Sequence, residues 1–350
     1  KGAIQPRLGF SLDVSKDGDQ STTIFGGAGR YYDRTPFDWI AQEALHAAVP
    51  NYTFQFSPAD ANGNPTQPNT IAWNPAYLSK AGLDSLLASG VAGLGTEIDV
   101  INNKTRPPHT DQFSLGVRQV MGDWTGSLTL ARVLGYDQFT WVWNRLVVPG
   151  FVTDLPPGSP YNVVLHNTYK KTQSSSVLIS LDKPYTKASG WGVGVAYTYQ
   201  DARTQGNDNY SLDYTTPSAY PAGHVGEKHH LVVNGIVTGP WDTRLTGVFT
   251  YGSGQPFEVF KSSATCDYNC AFYHWGAYGQ KYVNLDLSIA KEFRWGENQA
   301  LELRFDVMNV FNRDVDNAYE GNYYSPNFGK ATGADPNLTR RFQIGARYSF

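Results

Sequence analysis

Apolar and polar residues alternate at period two from one end of the chain to the other, and the connections between these segments are short and long in strict turn. In the first segment Ile4, Pro6, Leu8, Phe10, Leu12 and Val14 share one face, and Gln5, Arg7, Gly9, Ser11 and Asp13 share the other. The pattern returns in Trp191, Val193, Val195, Tyr197 and Tyr199, and in Leu301, Leu303, Phe305 and Val307 against Glu302, Arg304 and Asp306. It predicts eleven strands, near 3–14, 20–31, 109–121, 124–145, 169–182, 190–202, 227–238, 242–253, 278–293, 299–312 and 339–350. Short polar turns such as Gly122-Asp123 and Gly239 to Trp241 alternate with connections near 32–108, 146–168, 203–226, 254–277 and 313–338.

A soluble sandwich has no reason to keep one end of every hairpin tight and the other long. A transmembrane β-barrel does: its strands need about 9–11 residues, with apolar side chains facing lipid and polar ones facing the lumen. The expected fold is therefore an all-β, antiparallel transmembrane barrel. Bacterial single-chain barrels close with an even number of strands, so eleven reads as half of a plugged barrel of about 22 strands. Within 32–108, Asn74-Pro75 predicts a helix start and Gly90, after Leu83, Leu86 and Leu87, its stop. A second, weaker helix is expected from Phe37 to Val49.

Composition agrees. Charged residues are only 17% and aromatics reach 14%, with 35 Gly and 20 Pro, which excludes coiled coils and disordered tails. The mean hydropathy of −0.40 is compatible with a barrel, since only alternate strand residues meet lipid. No apolar run approaches the roughly 20 residues of a membrane helix. A net charge of −3 without a basic stripe excludes nucleic acid as a partner. Residue 1 is Lys, with no leader before the first segment, so a leader has been removed or the chain is part of a longer one.

Stretches at both ends of the chain carry a family resemblance. The last strand ends Gln343, Gly345, Tyr348, Phe350 at the positions of the C-terminal signal of bacterial outer-membrane proteins, which it resembles. The runs Gln5-Pro6-Arg7-Leu8-Gly9-Phe10, Gly26-Gly27-Ala28-Gly29-Arg30-Tyr31-Tyr32-Asp33-Arg34 and Asp306-Val307-Met308-Asn309-Val310-Phe311-Asn312, with Phe328-Gly329 before the final strand, resemble the C-terminal barrel of TonB-dependent outer-membrane transporters of the Oar-like branch. The resemblance implies residues 1–350 are the C-terminal half of such a barrel, whose plug and TonB box lie upstream. It also implies import of a nutrient bound at external loops and plug, driven by the TonB–ExbB–ExbD complex. The partners implied are outer-membrane lipid, the plug of the same polypeptide and the barrel-assembly machinery.

The site residues follow from position. The loop with Tyr268, Phe272, Tyr273, His274 and Trp275 is a ligand-binding candidate because clustered aromatics stack on sugars, peptides or aromatic chelators; the alternative is an aromatic girdle at the membrane interface. Tyr31, Tyr32, Asp33 and Arg34 carry the same two readings. Cys266 and Cys270, too sparse for a zinc site, are candidates for a local disulfide. Glu302, Arg304, Asp306, Arg341 and Arg347 are expected to face the lumen and pair across strands or with a plug. Gly26, Gly27 and Gly29 lack the context of a phosphate cradle, and His229 and His230 point to opposite faces, so neither cofactor nor metal is expected. No Gly-x-Ser-x-Gly or His-Glu-x-x-His motif marks an enzyme. The rival readings are a passive porin-like channel, an outer-membrane enzyme, and a surface or secretion-associated receptor without uptake.

Overall fold

Strands rich in Val, Leu, Tyr and Thr, separated by turns that reverse the chain, form one long antiparallel meander. The computed structural model describes residues 3–17, 20–34, 40–41, 43–45, 54–68, 70–89, 99–102, 104–143, 163–167, 171–204, 223–260, 272–295, 299–335 and 338–350. Eleven strands build the wall: β1 Arg7–Asp17, β2 Gln20–Tyr32, β3 His109–Met121, β4 Trp124–Tyr136, β5 Thr172–Lys183, β6 Trp191–Thr204, β7 His229–Thr238, β8 Thr243–Gly252, β9 Tyr282–Trp295, β10 Gln299–Met308 and β11 Arg341–Ser349. Each pairs with its sequence neighbours, and β1 and β11 are the two edges. All eleven expected strands are present. Two end earlier than expected, because the chain after β4 leaves the wall for a separate strand at Phe139–Trp143, and because it turns at Asn309 after β10.

Paired residues in an antiparallel sheet share a face, so the register fixes which side each residue takes. One outward row runs Leu12, Ile24, Val117, Leu128, Ile179, Tyr197, Leu231, Tyr251, Val283 across nine strands. Another joins Gly247, Leu287, Val307 and Phe342 across the last four. These side chains face away from the protein: Leu12 is 60% exposed and Phe342 64%. The opposite face is polar, with Thr129, Ser176, Thr198, Asn234, Thr250, Ser288 and Gln343. In the wall the register slips only between Asp13 and Ser15, a bulge at Val14.

Aromatic residues mark both rims of the apolar band. At the turn end the rings of Trp124 and Trp191 lie 5.9 Å apart, and those of Trp295 and Tyr348 6.2 Å apart. At the other end His109 lies between Tyr32 and Tyr136, at 5.2 and 5.3 Å. Trp124 and Tyr136 bound a strand of 13 residues. At about 3.3 Å per residue and a tilt of about 40°, they stand about 30 Å apart along the membrane normal, the thickness of a bilayer core.

The described parts of the long connections lie at the end opposite the turns. The helix expected after Asn74 is two elements. Asn74 caps a single 3-10 turn, Pro75–Leu78, and Ser79 then caps helix α1, Lys80–Ala88, by accepting the Gly82 N–H at 3.1 Å. Ser79 has extended backbone, which breaks the run there; Gly90 lies outside the described residues. Residues 40–41 and 43–45 of the second expected helix are helical, and its remaining residues lie outside those described.

The exit from β10 is tied down by a cluster of hydrogen bonds. Asn309 is buried with φ +50, a left-handed conformation that Asn tolerates better than most residues. Its Nδ2 donates to the carbonyls of Arg313 (2.9 Å) and Leu338 (2.7 Å), and its Oδ1 accepts from the Arg313 N–H (3.1 Å). Its own N–H donates to Asp286 Oδ1 on β9 at 2.8 Å, and Arg340 Nη2 donates to the Val310 carbonyl at 2.7 Å. The two ends of the 309–340 connection are thereby held together.

Two outcomes follow. Leu287→Arg places a cation in the apolar band and should cost about 2–4 kcal/mol in urea unfolding from lipid, whereas Ser288→Arg, on the lumen face, should cost under about 1 kcal/mol. Equal costs would overturn the face assignment. Asn309→Ala strands two carbonyls and an N–H, and should lower stability by about 2–4 kcal/mol in the same assay.

Candidate functional site

The lumen face and the looped end are the two places where a solute could be met. On the lumen face Glu302, Arg304, Asp306, Arg341 and Arg347 share the polar side of β10 and β11. Arg244 Nη2 lies 2.6 Å from Glu302 Oε2, and Arg304 Nε 3.0 Å from Asp306 Oδ2. Arg347 is the cross-strand partner of Glu302, and Gln343 that of Asp306. Arg244, Asp286, Ser288, Arg304, Asp306 and Gln343 line a shallow concavity there. The charges alternate in sign, which suits a water-filled wall or a polar surface packed on it.

Gln343 and Gly345 lie on that same face, while Tyr348 faces outward, stacked on Trp295 and on Phe350 (5.8 Å) at the turn-end rim. Tyr31 and Tyr32 take opposite sides. Tyr32 joins the outward ring stack with His109, whereas Tyr31 lies on the lumen side under the Arg7 guanidinium, 4.5 Å from its ring centre. The Arg34 N–H donates to Asp33 Oδ1 at 2.8 Å, above the strand. His229 and His230 also diverge: Tyr197 Oη is 2.8 Å from His229 Nδ1, and Glu227 Oε1 is 2.6 Å from His230 Nδ1.

Of the aromatic loop expected to bind ligand, Cys266, Tyr268 and Cys270 lie outside the described residues. Its far arm, Phe272–Tyr278, is a strand paired with Pro256–Phe260, with Tyr273 opposite Val259; this places the backbone of Phe272, Tyr273, His274 and Trp275 on a hairpin beyond the wall. The base of that hairpin meets a second loop. The ring of Phe257 stacks on Tyr319 at 5.0 Å and approaches Phe328 at 6.3 Å. Tyr319 Oη accepts the Gln280 N–H at 2.6 Å, and its ring occupies the space a side chain at Gly279 would need.

From Tyr319 the chain builds a platform. Strands Asp316–Tyr319 and Ala331–Ala334 pair, and the residues between them bond among themselves: Glu320 N–H to the Lys330 carbonyl (2.9 Å), Gly329 N–H to the Glu320 carbonyl (2.8 Å), Asn322 N–H to Glu320 Oε1 (2.8 Å) and Tyr324 N–H to Asn322 Oδ1 (3.1 Å). Tyr323 and Tyr324 meet edge to face at 5.9 Å, and Tyr323 meets Phe328 at 5.6 Å. They remain 56%, 60% and 37% exposed. Sequence reasoning missed Phe257, Tyr319, Tyr323 and Tyr324 as site residues. The density of aromatics and Asn in 317–328 was the available signal, but their meeting with Phe257 is set by tertiary structure. Elsewhere on the looped end, the Asp60 carboxylate is held below its usual range by the Asn64 N–H, aided by that of Asn62.

The outer membrane beta barrel domain family model matches residues 1–274 and 275–343. No curated protein sequence matches the chain. Among solved structures, a mutant of the ferric enterobactin receptor PfeA of Pseudomonas aeruginosa superposes with a TM-score of 0.56 at 14% identity, over 99% of this chain and 40% of that one. The outer membrane transporter YddB of Escherichia coli gives 0.54 at 10% identity, over 94% and 38%. The ferripyoverdine receptor of the outer membrane of Pseudomonas aeruginosa gives 0.52 at 12%, over 100% and 33%. The chain thus spans 33–40% of the length of these proteins, and at such identities the likeness is one of fold. With its strands, its outward apolar band and nearly its whole length accounted for, the chain belongs to the outer membrane β-barrel domain family and is a multi-pass barrel protein of the outer membrane.

Proposed function

We propose that this chain is the C-terminal half of a plugged barrel that binds a nutrient at its external loops and imports it by TonB-coupled transport. The observation that carries the reading is the open wall. Edge strands β1 and β11 both run from the looped end to the turn end, because eleven strands alternate in direction. Joining them directly would make a parallel seam in an antiparallel wall. An odd number of further strands closes it antiparallel with an even total, as bacterial barrels do. The transporter and receptors that share the fold are each more than twice as long as this chain, which supports the same reading.

In this reading Arg341, Arg347, Glu302, Arg304 and Asp306 meet the plug, and the TonB–ExbB–ExbD complex acts through a TonB box upstream. The barrel-assembly machinery recognises Gln343, Gly345, Tyr348 and Phe350. Tyr31, Arg34 and the aromatic loops serve the ligand, and the protein itself performs binding and passage without bond chemistry. A passive channel or a receptor without uptake would show a different dependence on energy.

Cells whose growth on a limiting nutrient requires the full-length protein should lose that growth when the energy-coupling protein is deleted. Uptake that persists without coupling would favour the passive channel. Deleting Phe350 should reduce the heat-modifiable, folded fraction in the outer membrane several-fold, and an unchanged fraction would remove the assembly role.

A further inference from the structure

We infer that the platform of Tyr319, Tyr323, Tyr324 and Phe328 is a binding site for a neutral oligosaccharide. This rests on the receptor reading above and names its ligand class. The first ground is position. The platform lies in the connection between β10 and β11, at the looped end of the wall, opposite the short turns.

The second ground is rigidity. Hydrogen bonds within residues 320–330, the stacking of Phe257 on Tyr319 and the closed Asn309 turn fix the rings before any ligand arrives, which lowers the ordering cost of binding. Tyr323 and Tyr324 are more than half exposed although the loop beneath them is ordered.

The third ground is charge. Residues 316–335 hold one cation, Lys330, against Asp316, Glu320 and Asp335, and Lys330 Nζ already donates to Asn327 Oδ1 at 3.0 Å. Over all the long connections, 33–108, 137–171, 205–228, 253–281 and 309–340, there are 13 Lys and Arg against 18 Asp and Glu. A multiply charged anion, such as a ferric catecholate or a uronic-acid chain, would meet repulsion on approach and too few cations at the site. An uncharged pyranose needs no cation and meets what is present, the ring faces of Tyr323, Tyr324 and Phe328, whose negative quadrupole suits its C–H face.

The test uses the full-length protein purified from outer membrane in detergent. Calorimetry is run against neutral hexasaccharides derived from starch, cellulose, xylan and mannan, against a hexagalacturonate, against ferric enterobactin and against hexalysine. Saturable binding of at least one neutral hexasaccharide is expected, weakened tenfold or more by Tyr323→Ala or Tyr324→Ala. Tyr323→Phe should keep most of the affinity. Heat-modifiable mobility of each variant reports that the barrel is intact. Binding of none of the neutral sugars, binding of a charged probe alone, or sugar affinity unchanged in both alanine variants would overturn the assignment. Sugar binding with uptake that ignores the energy-coupling protein would overturn the import reading and leave this one standing. Coupled uptake with no neutral sugar bound would do the reverse.

Discussion

A backbone N–H or C=O left unpaired in hydrocarbon costs several kcal/mol, and everything else in this molecule is arranged around that cost. It forces the membrane-crossing chain into one hydrogen-bonded sheet and ties each strand's faces to its neighbours'. A one-residue slip at any wall pairing would turn the next strand's apolar set toward the lumen. The unbroken register of the row from Leu12 to Val283 is how the chain avoids this. The bulge at Val14 falls in β1, three residues from its turn end, where the slip disturbs least of the band.

The same constraint separates the two ends of the wall. At the turn end the chain needs only to reverse, and tight residues such as Gly122, at φ +58, suffice. At the looped end it leaves the ladder and must satisfy its backbone by other means. Asn309 does so with a buried amide, bonding the start of its connection to Leu338 near its end. With both ends pinned, residues 316–334 fold as a small hairpin with their own hydrogen bonds. The rigid wall is thus extended into a rigid loop.

The wall was legible because period-two alternation is a local signal that tertiary structure amplifies. Leu301, Leu303, Phe305 and Val307 declare their common face with no knowledge of β11. Strand ends were less legible. The strand was read through to Asn312, but the outward apolar row of Leu301, Leu303, Phe305 and Val307 meets Asn309 at its next position, and there a left-handed backbone stops the strand. The helix after Asn74 read as one element because its start at Asn74-Pro75 and its stop after Leu83, Leu86 and Leu87 were both marked, while the Ser79 hydroxyl, between them, caps the second element and ends the first. The aromatic platform was the least legible, since Phe257 and Tyr319 belong to different connections and become neighbours only through β9 and β10.

Tyr31 and Tyr32 show what the membrane decides and where its authority ends. Their chemistry is the same and they are adjacent, yet parity sends one to the lumen beneath Arg7 and the other to the rim beside His109. For a wall residue, strand parity therefore distinguishes an anchoring aromatic from one that faces solutes. Beyond the strand ends parity no longer applies, and an exposed ring must be explained by its own surroundings. Trp241, in the turn between β7 and β8, is 81% exposed beside the turn-end girdle and needs only the interface. Tyr323 and Tyr324 lie in the connection between β10 and β11, where the hydrogen bonds within residues 320–330, and not strand parity, set how the rings are presented.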